Sequence, residues 1–80
     1  MNRELFLYTR ANCELCQVMH AELQDVIQSK HVSVQLVDID NDADLVHRYG
    51  ARIPVLVAGK HEICEVKLDR DALEAFLSTK

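Results

Sequence analysis

Two cysteines three positions apart, Cys13-Glu14-Leu15-Cys16, stand where a short apolar run gives way to a long amphipathic one. Upstream, Leu5-Phe6-Leu7-Tyr8-Thr9 is rich in strand formers and reads as a buried strand. Downstream, Leu15, Met19, Leu23, Val26 and Ile27 follow one another at steps of four, four, three and one, which traces one face of a helix. The junction therefore dictates strand, tight turn, helix. Asn12 is the natural N-cap, with Cys13 in the first turn.

The rest of the chain continues the alternation. Val32 to Ile39 is β-branched and largely apolar, a second strand. Asp40-Asn41-Asp42 offers caps for a short helix through Leu45, Val46 and Tyr49 that Gly50 stops. Pro54-Val55-Leu56-Val57 opens a third strand, with proline at the first position, where a missing N–H is tolerated. Ala58-Gly59-Lys60-His61 turns the chain into a fourth strand over Glu62 to Lys67. Asp69 then caps a helix striped by Leu73, Phe76 and Leu77, and Leu68 and Leu73 form a hydrophobic staple across that cap. The order β-α-β-α-β-β-α predicts an α/β fold with a four-stranded mixed sheet flanked by three helices. Its first two strands are parallel, joined by a right-handed crossover, and its last two antiparallel.

Eighty residues accommodate one domain, expected over residues 1–80. The apolar stretches are far shorter than a membrane span requires, and Met1-Asn2-Arg3-Glu4 leads straight into a strand with no apolar signal segment. A formal charge of −4 with interspersed signs argues against binding a nucleic-acid backbone. The expectation is a cytoplasmic monomer that contacts neither nucleic acid nor membrane.

Three cysteines are too few, and odd in number, for a disulfide framework. A bridge between Cys13 and Cys16 closes so short a loop that chain entropy offers only about 2 kcal/mol, so the pair suits chemistry better than stapling. Exchange between thiols and disulfides needs a thiolate, and a helix N-terminus stabilises one. Cys13 at the tip is then the exposed attacking thiol, and Cys16, one turn on, the buried thiol that resolves a mixed disulfide. Arg10 adds cationic support, whereas Glu14 opposes ionisation. Cys64, between Ile63 and Val66, reads as a small core residue. A zinc site would need Cys13, Cys16, Cys64 and His61, and neither of the last two has ligand-pair spacing of its own, so no metal is expected. The aspartates at 38, 40, 42 and 44 resemble the start of a calcium loop, but Ala43 and Tyr49 stand where that loop needs Gly and Glu. His20, His31 and His47 read as surface residues.

Over Leu7-Tyr8-Thr9-Arg10-Ala11-Asn12-Cys13-Glu14-Leu15-Cys16, then Val37-Asp38-Ile39-Asp40, Tyr49-Gly50, Arg52-Ile53-Pro54-Val55-Leu56 and Gly59-Lys60-His61, the chain resembles the glutaredoxins, and small bacterial glutaredoxin-like proteins most of all. The resemblance implies the minimal thioredoxin fold. It implies that Cys13 is the nucleophile, Cys16 the resolving cysteine and Pro54 the family's cis-proline. Ile53 would offer backbone hydrogen bonds to a bound thiol peptide, and Arg10 matches the basic residue three before the first cysteine. The chain also departs from that pattern. Glutaredoxins hold a glutathione carboxylate with a Gly-Gly pair and an acidic residue where this sequence reads Glu62-Ile63-Cys64-Glu65-Val66, and Arg52 replaces their usual Thr. Arg10, Arg52 and Asp69 are the residues left to form a different clamp. Glu14-Leu15 replaces the aromatic residue between the cysteines, and Leu7 stands where thioredoxins bury an acid.

These readings converge on a dithiol–disulfide oxidoreductase acting on protein or glutathione mixed disulfides. Arg10, Arg52, Ile53 and Pro54 would bind substrate. No cofactor is expected beyond glutathione as a co-substrate, and the reductant would be glutathione or a thioredoxin-reductase-type protein. The alternatives are a soft-metal carrier for Cu(I) or Zn through the cysteine pair, and a redox-silent binding module on the same fold.

Overall fold

A computed structural model of the chain describes residues 3–30 and 32–78; His31 lies outside the described residues. The elements are β1 (Arg3–Thr9), α1 (Glu14–Lys30), β2 (Val32–Asp38), α2 (Ala43–Tyr49), β3 (Val55–Ala58), β4 (His61–Glu65) and α3 (Arg70–Ser78), with one 3₁₀ turn over Ile39–Asn41. They follow the expected order and form one sheet, β2-β1-β3-β4. β1 and β2 run parallel, while β3 is antiparallel to both β1 and β4.

Alternation along β1 sorts its side chains between two cores. Leu5 and Leu7, both 0 % exposed, join Val32 and Leu56 under Met19, Leu23 and Val26 of α1 and Leu73 of α3. Tyr8 points to the other face, where Ile39, Tyr49, Val55 and Val57 pack with Leu45 and Val46 of α2. Tyr8 and Tyr49 stack there with ring centroids 4.5 Å apart. Two helices thus cover one sheet face and one the other. β1 is an interior strand, and the first βα turn leaves the sheet at the C-terminal end of β1.

Local chemistry fixes the ends. Asp42 caps α2 by accepting from the N–H groups of Asp44 and Leu45. Asp69 Oδ1 accepts from Ala72 N–H at 3.0 Å, and Leu68 joins the core beside Leu73, as the staple requires. The β3–β4 hairpin pairs Ala58 with His61 across Gly59 and Lys60. Gly59 takes a φ of 61° at the first position of that two-residue turn, where glycine carries no steric cost.

Several expected boundaries shift, with β1 beginning at Arg3 and β4 at His61 among them. β2 ends at Asp38, because Ile39 turns into the 3₁₀ segment and is wholly buried. β3 begins at Val55, just after Pro54. β4 ends at Glu65 instead of Lys67, since Val66 adopts a φ of 69° that no strand can carry. β4 also holds a bulge: Leu56 pairs with Cys64 but Val57 with Glu62, which leaves Ile63 as the extra residue.

Candidate active site

Asn12 does not cap α1. It sits at a φ of 59°, the left-handed conformation asparagine tolerates, and swings the chain from β1 into the helix. Cys13 caps instead. Its carbonyl accepts from Gln17 N–H at 3.2 Å, and its Sγ accepts from Cys16 N–H at 3.1 Å. The first sulfur thus occupies the place of an N-cap oxygen, facing the unpaired N–H groups of the first turn. Cys13 and Cys16 are joined as a disulfide, with Cα atoms 5.2 Å apart. Cys16 is 4 % exposed and Cys13 half-buried.

The same phase sets which residues of α1 enter the core. Leu15, expected on the buried stripe, is 46 % exposed, and Cys16 takes the inward position above Met19. Helical spacing admits either phase, and the cap selects this one. Leu15, Val18 and Val66 remain exposed around a shallow groove floored by Met19 and Leu68.

A cavity of about 200 Å³ opens beside the disulfide, between the β1–α1 turn and β2. Both cysteines line it, with Arg10, Asn12, Gln17, His20 and Leu36 among the others. Arg10 is there as expected, but its guanidinium is held by Asp40 through contacts of 2.8 Å from both Nε and Nη2. His20 also belongs to this lining and not to the outer surface of the helix. Its spacing, four after Cys16, was the signal for that.

Arg52, Ile53 and Pro54 are outside that lining. The Ile53–Pro54 peptide bond is cis, and the Pro54 carbonyl accepts from Val66 N–H at 2.8 Å. Arg52 turns away toward β4. Its Nη1 meets Glu62 at 2.8 Å and Glu65 at 3.0 Å, and the guanidinium lies 5.3 Å from the Tyr49 ring centroid. In a regular strand, residues three apart face opposite sides; the extra residue at Ile63 puts Glu62 and Glu65 on one face, so both reach Arg52. The hydrogen bond from Arg52, foremost, holds the Glu62 carboxyl below its ordinary value, and the same bond raises the guanidinium further above its own. Asp69 serves as the cap of α3. The three residues of the expected clamp are therefore each committed separately: Arg10 to Asp40, Arg52 to β4, Asp69 to its helix.

Cys64 carries a free thiol, half-buried against the main core, and burial pushes its pKa up. His61 stacks on Phe76 of α3, with centroids 5.6 Å apart. Among the described residues no three His, Cys, Asp or Glu side chains gather as a metal-holding group.

Comparison with known proteins places this geometry in context. The profile of the glutaredoxin-like domain matches residues 4–78. A protein of Nitrosomonas europaea solved by solution NMR is 35 % identical, with a TM-score of 0.87 over 95 % of this chain and 92 % of its own. A structural-genomics target protein from X. campestris, solved by X-ray crystallography, is 34 % identical, with a TM-score of 0.66 over 91 % and 93 %. The glutaredoxin-like NrdH-redoxin of Escherichia coli, whose activity profile is described as thioredoxin-like, is 17 % identical, with a TM-score of 0.61 over 84 % and 88 %. That last likeness is one of fold, the thioredoxin fold. No curated protein matches the sequence.

Proposed function

The chain belongs to the glutaredoxin-like domain family, and on that premise we propose that it is a small dithiol–disulfide oxidoreductase working through Cys13 and Cys16. Family, fold and a cysteine pair at disulfide distance support a redox function in general. The observation that carries the finer reading is the Cys16 N–H aimed at Cys13 Sγ at 3.1 Å. A donor so placed, at the positive end of a 17-residue helix, favours negative charge on that sulfur.

In the reduced protein, the Cys13 thiolate attacks one sulfur of a substrate disulfide. A Cys13–substrate mixed disulfide forms and the other substrate sulfur leaves as a thiolate. Cys16 then attacks Cys13 Sγ, closes the internal disulfide and releases the second substrate thiol. Two electrons pass from the protein to the substrate. In this cycle the Cys13–Cys16 disulfide is the oxidised form, and an external dithiol or thiol regenerates the reduced one.

The residues present do not fit a glutathione clamp, because Arg52 and Asp69 are engaged elsewhere and no glycine occupies 62–66. We therefore read the substrate as a protein disulfide and the donor as a thioredoxin-reductase-type protein. No helix among the described residues is long and apolar enough to cross a membrane. The test is turnover of a disulfide-bonded protein substrate with wild type and Cys13→Ser. Loss of turnover in the variant is expected, and an unchanged rate sinks the mechanism.

A further inference from the structure

Val66 is the one β-branched residue at positive φ among the described residues. Its φ is 69°, and Lys67 N–H donates to the Glu65 carbonyl at 2.7 Å, closing a three-residue turn around it. Val66 N–H donates to the Pro54 carbonyl at 2.8 Å, which pins the turn against the loop before β3. Glycine would take this conformation at no steric cost, whereas a β-branched side chain is strained there. The valine side chain adds nothing to the fold that would offset the strain. It is 39 % exposed and belongs to neither core cluster. Strain held without a packing gain directs attention to what the side chain meets in solution.

What it faces is the groove beside the redox motif. Leu15, Val18 and Glu22 of α1 form one wall, Val66 and Lys67 the other, over Met19 and Leu68. Of the four large hydrophobic residues exposed among the described residues, Leu15, Val18 and Val66 all stand here. Such clustering of exposed apolar side chains marks an interaction surface. Leu15 lies between the two cysteines, so the groove begins inside the motif itself.

The groove also indicates its occupant. Its volume of about 220 Å³ is below the roughly 300–1,000 Å³ of small-molecule sites, and suits side chains of a larger partner. A second copy of this chain seated on Leu15 would cover the motif that must meet a substrate. The charges in the lining are Glu22 and Lys67, on opposite walls, and neither is in an ion pair among the described residues. Glu22 is seven residues beyond Leu15, about 10 Å along the helix axis. Lys67 directly follows Val66, so the charge at the disulfide end of the groove is positive.

From this arrangement we propose that Val66, with Leu15 and Val18, is a specificity determinant for the protein substrate. The groove receives an apolar side chain close to the substrate's reactive cysteine, with an acidic group beside it against Lys67. The inference rests on the oxidoreductase reading above and leaves its chemistry unchanged. The Cys13 thiolate attacks the substrate sulfur, the other sulfur leaves as a thiolate, and Cys16 then releases the bound substrate thiol. The groove decides which disulfide is brought to Cys13.

The probes are short peptides whose single cysteine carries a coloured aromatic thiol in disulfide linkage. Two series place Ala or Leu either two positions before or two positions after that cysteine. Each peptide is mixed with the reduced Cys64→Ser protein in a stopped-flow instrument, where release of colour reports attack by Cys13. In one series Leu should react about five- to tenfold faster than Ala, as expected for apolar surface partly buried in an open groove. Val66→Gly should bring that ratio close to one even as its urea midpoint rises, and Val18→Ala, a change on the helix, should lower it as well. A general disturbance of the site would slow both peptides alike and preserve the ratio. Ratios unchanged in both variants therefore overturn the proposal, as does a parent ratio near one in both series. Asp beside the Leu should speed the reaction relative to Lys there, and Lys67→Glu should reverse that order; an order left intact overturns the acidic companion. A reduced protein that sediments as a dimer, and as a monomer after Val66→Gly, gives the groove to a second copy and overturns the proposal too. Colour released as fast by Cys13→Ser refutes the oxidoreductase reading itself, whatever the ratios.

Discussion

If Cys13 Sγ is the N-cap of α1, its replacement should be felt as a cap mutation even when no disulfide can form. Cys13→Ser and Cys13→Ala both remove the bridge, and both leave Cys16 as a thiol under reducing conditions. They differ in one respect. The serine Oγ can accept from Cys16 N–H, the bond that sulfur makes at 3.1 Å, whereas alanine leaves that part-buried donor without a protein partner. A lost N-cap typically costs about 1 kcal/mol, within a range of roughly 0.5–2. For a chain this small a urea m-value near 1 kcal/mol/M is expected, so the unfolding midpoint of Cys13→Ser should exceed that of Cys13→Ala by about 1 M. In thermal melts the gap should be about 4–8 °C. Urea titrations followed by circular dichroism, in reductant, measure it directly. Coincident midpoints would show that the sulfur does not cap the helix, and would remove the main ground for assigning Cys13 as the attacking thiol.

Other expectations follow from particular contacts. Asp69→Ala should lower stability by about 1 kcal/mol through loss of the α3 cap, read in the same titrations. Val66→Gly should raise stability by about 1 kcal/mol, because relief of a β-branched residue at positive φ outweighs the added freedom of the unfolded chain; a destabilised variant would contradict the strain. The Glu62 carboxyl is held low by Arg52, so its stabilisation is present above the unfolded-state value and lost as pH falls through the folded one. In NMR titrations of Arg52→Gln that carboxyl should titrate at higher pH than in wild type, with a smaller difference in high salt. Cys64, its thiol pushed up by burial, should alkylate more slowly near neutral pH than an exposed cysteine, timed by mass spectrometry.

The sequence carried element order and type because its apolar periods switch cleanly between two and 3.6. It also placed Cys13 at a helix tip and Cys16 inside. It misjudged matters where a single residue of phase decides. Leu15 outscores Cys16 in hydrophobicity, so a stripe begun at Leu15 looks the stronger, yet capping by Cys13 rotates Leu15 outward. Asn12 is an excellent cap by composition, but it is used for its tolerance of positive φ. Arg52 reads toward substrate because it stands two before Pro54, where glutaredoxins usually carry Thr. Its true partners are ten and thirteen residues away, on a strand whose bulge no local pattern announces. His20 reads as a surface residue, although its spacing four after Cys16 already allows it to share the side of α1 that borders the cavity with Leu36.

The bulge at Ile63 also bears on what the protein can avoid. β4 is an outer strand of the sheet, and its free rim is a template on which another extended chain could polymerise. Five residues long, interrupted at its middle and followed at once by a residue at positive φ, it offers no flat stretch for such an addition. The irregularity that brings two carboxylates to one arginine thus also protects the folded protein from self-templated aggregation at this rim.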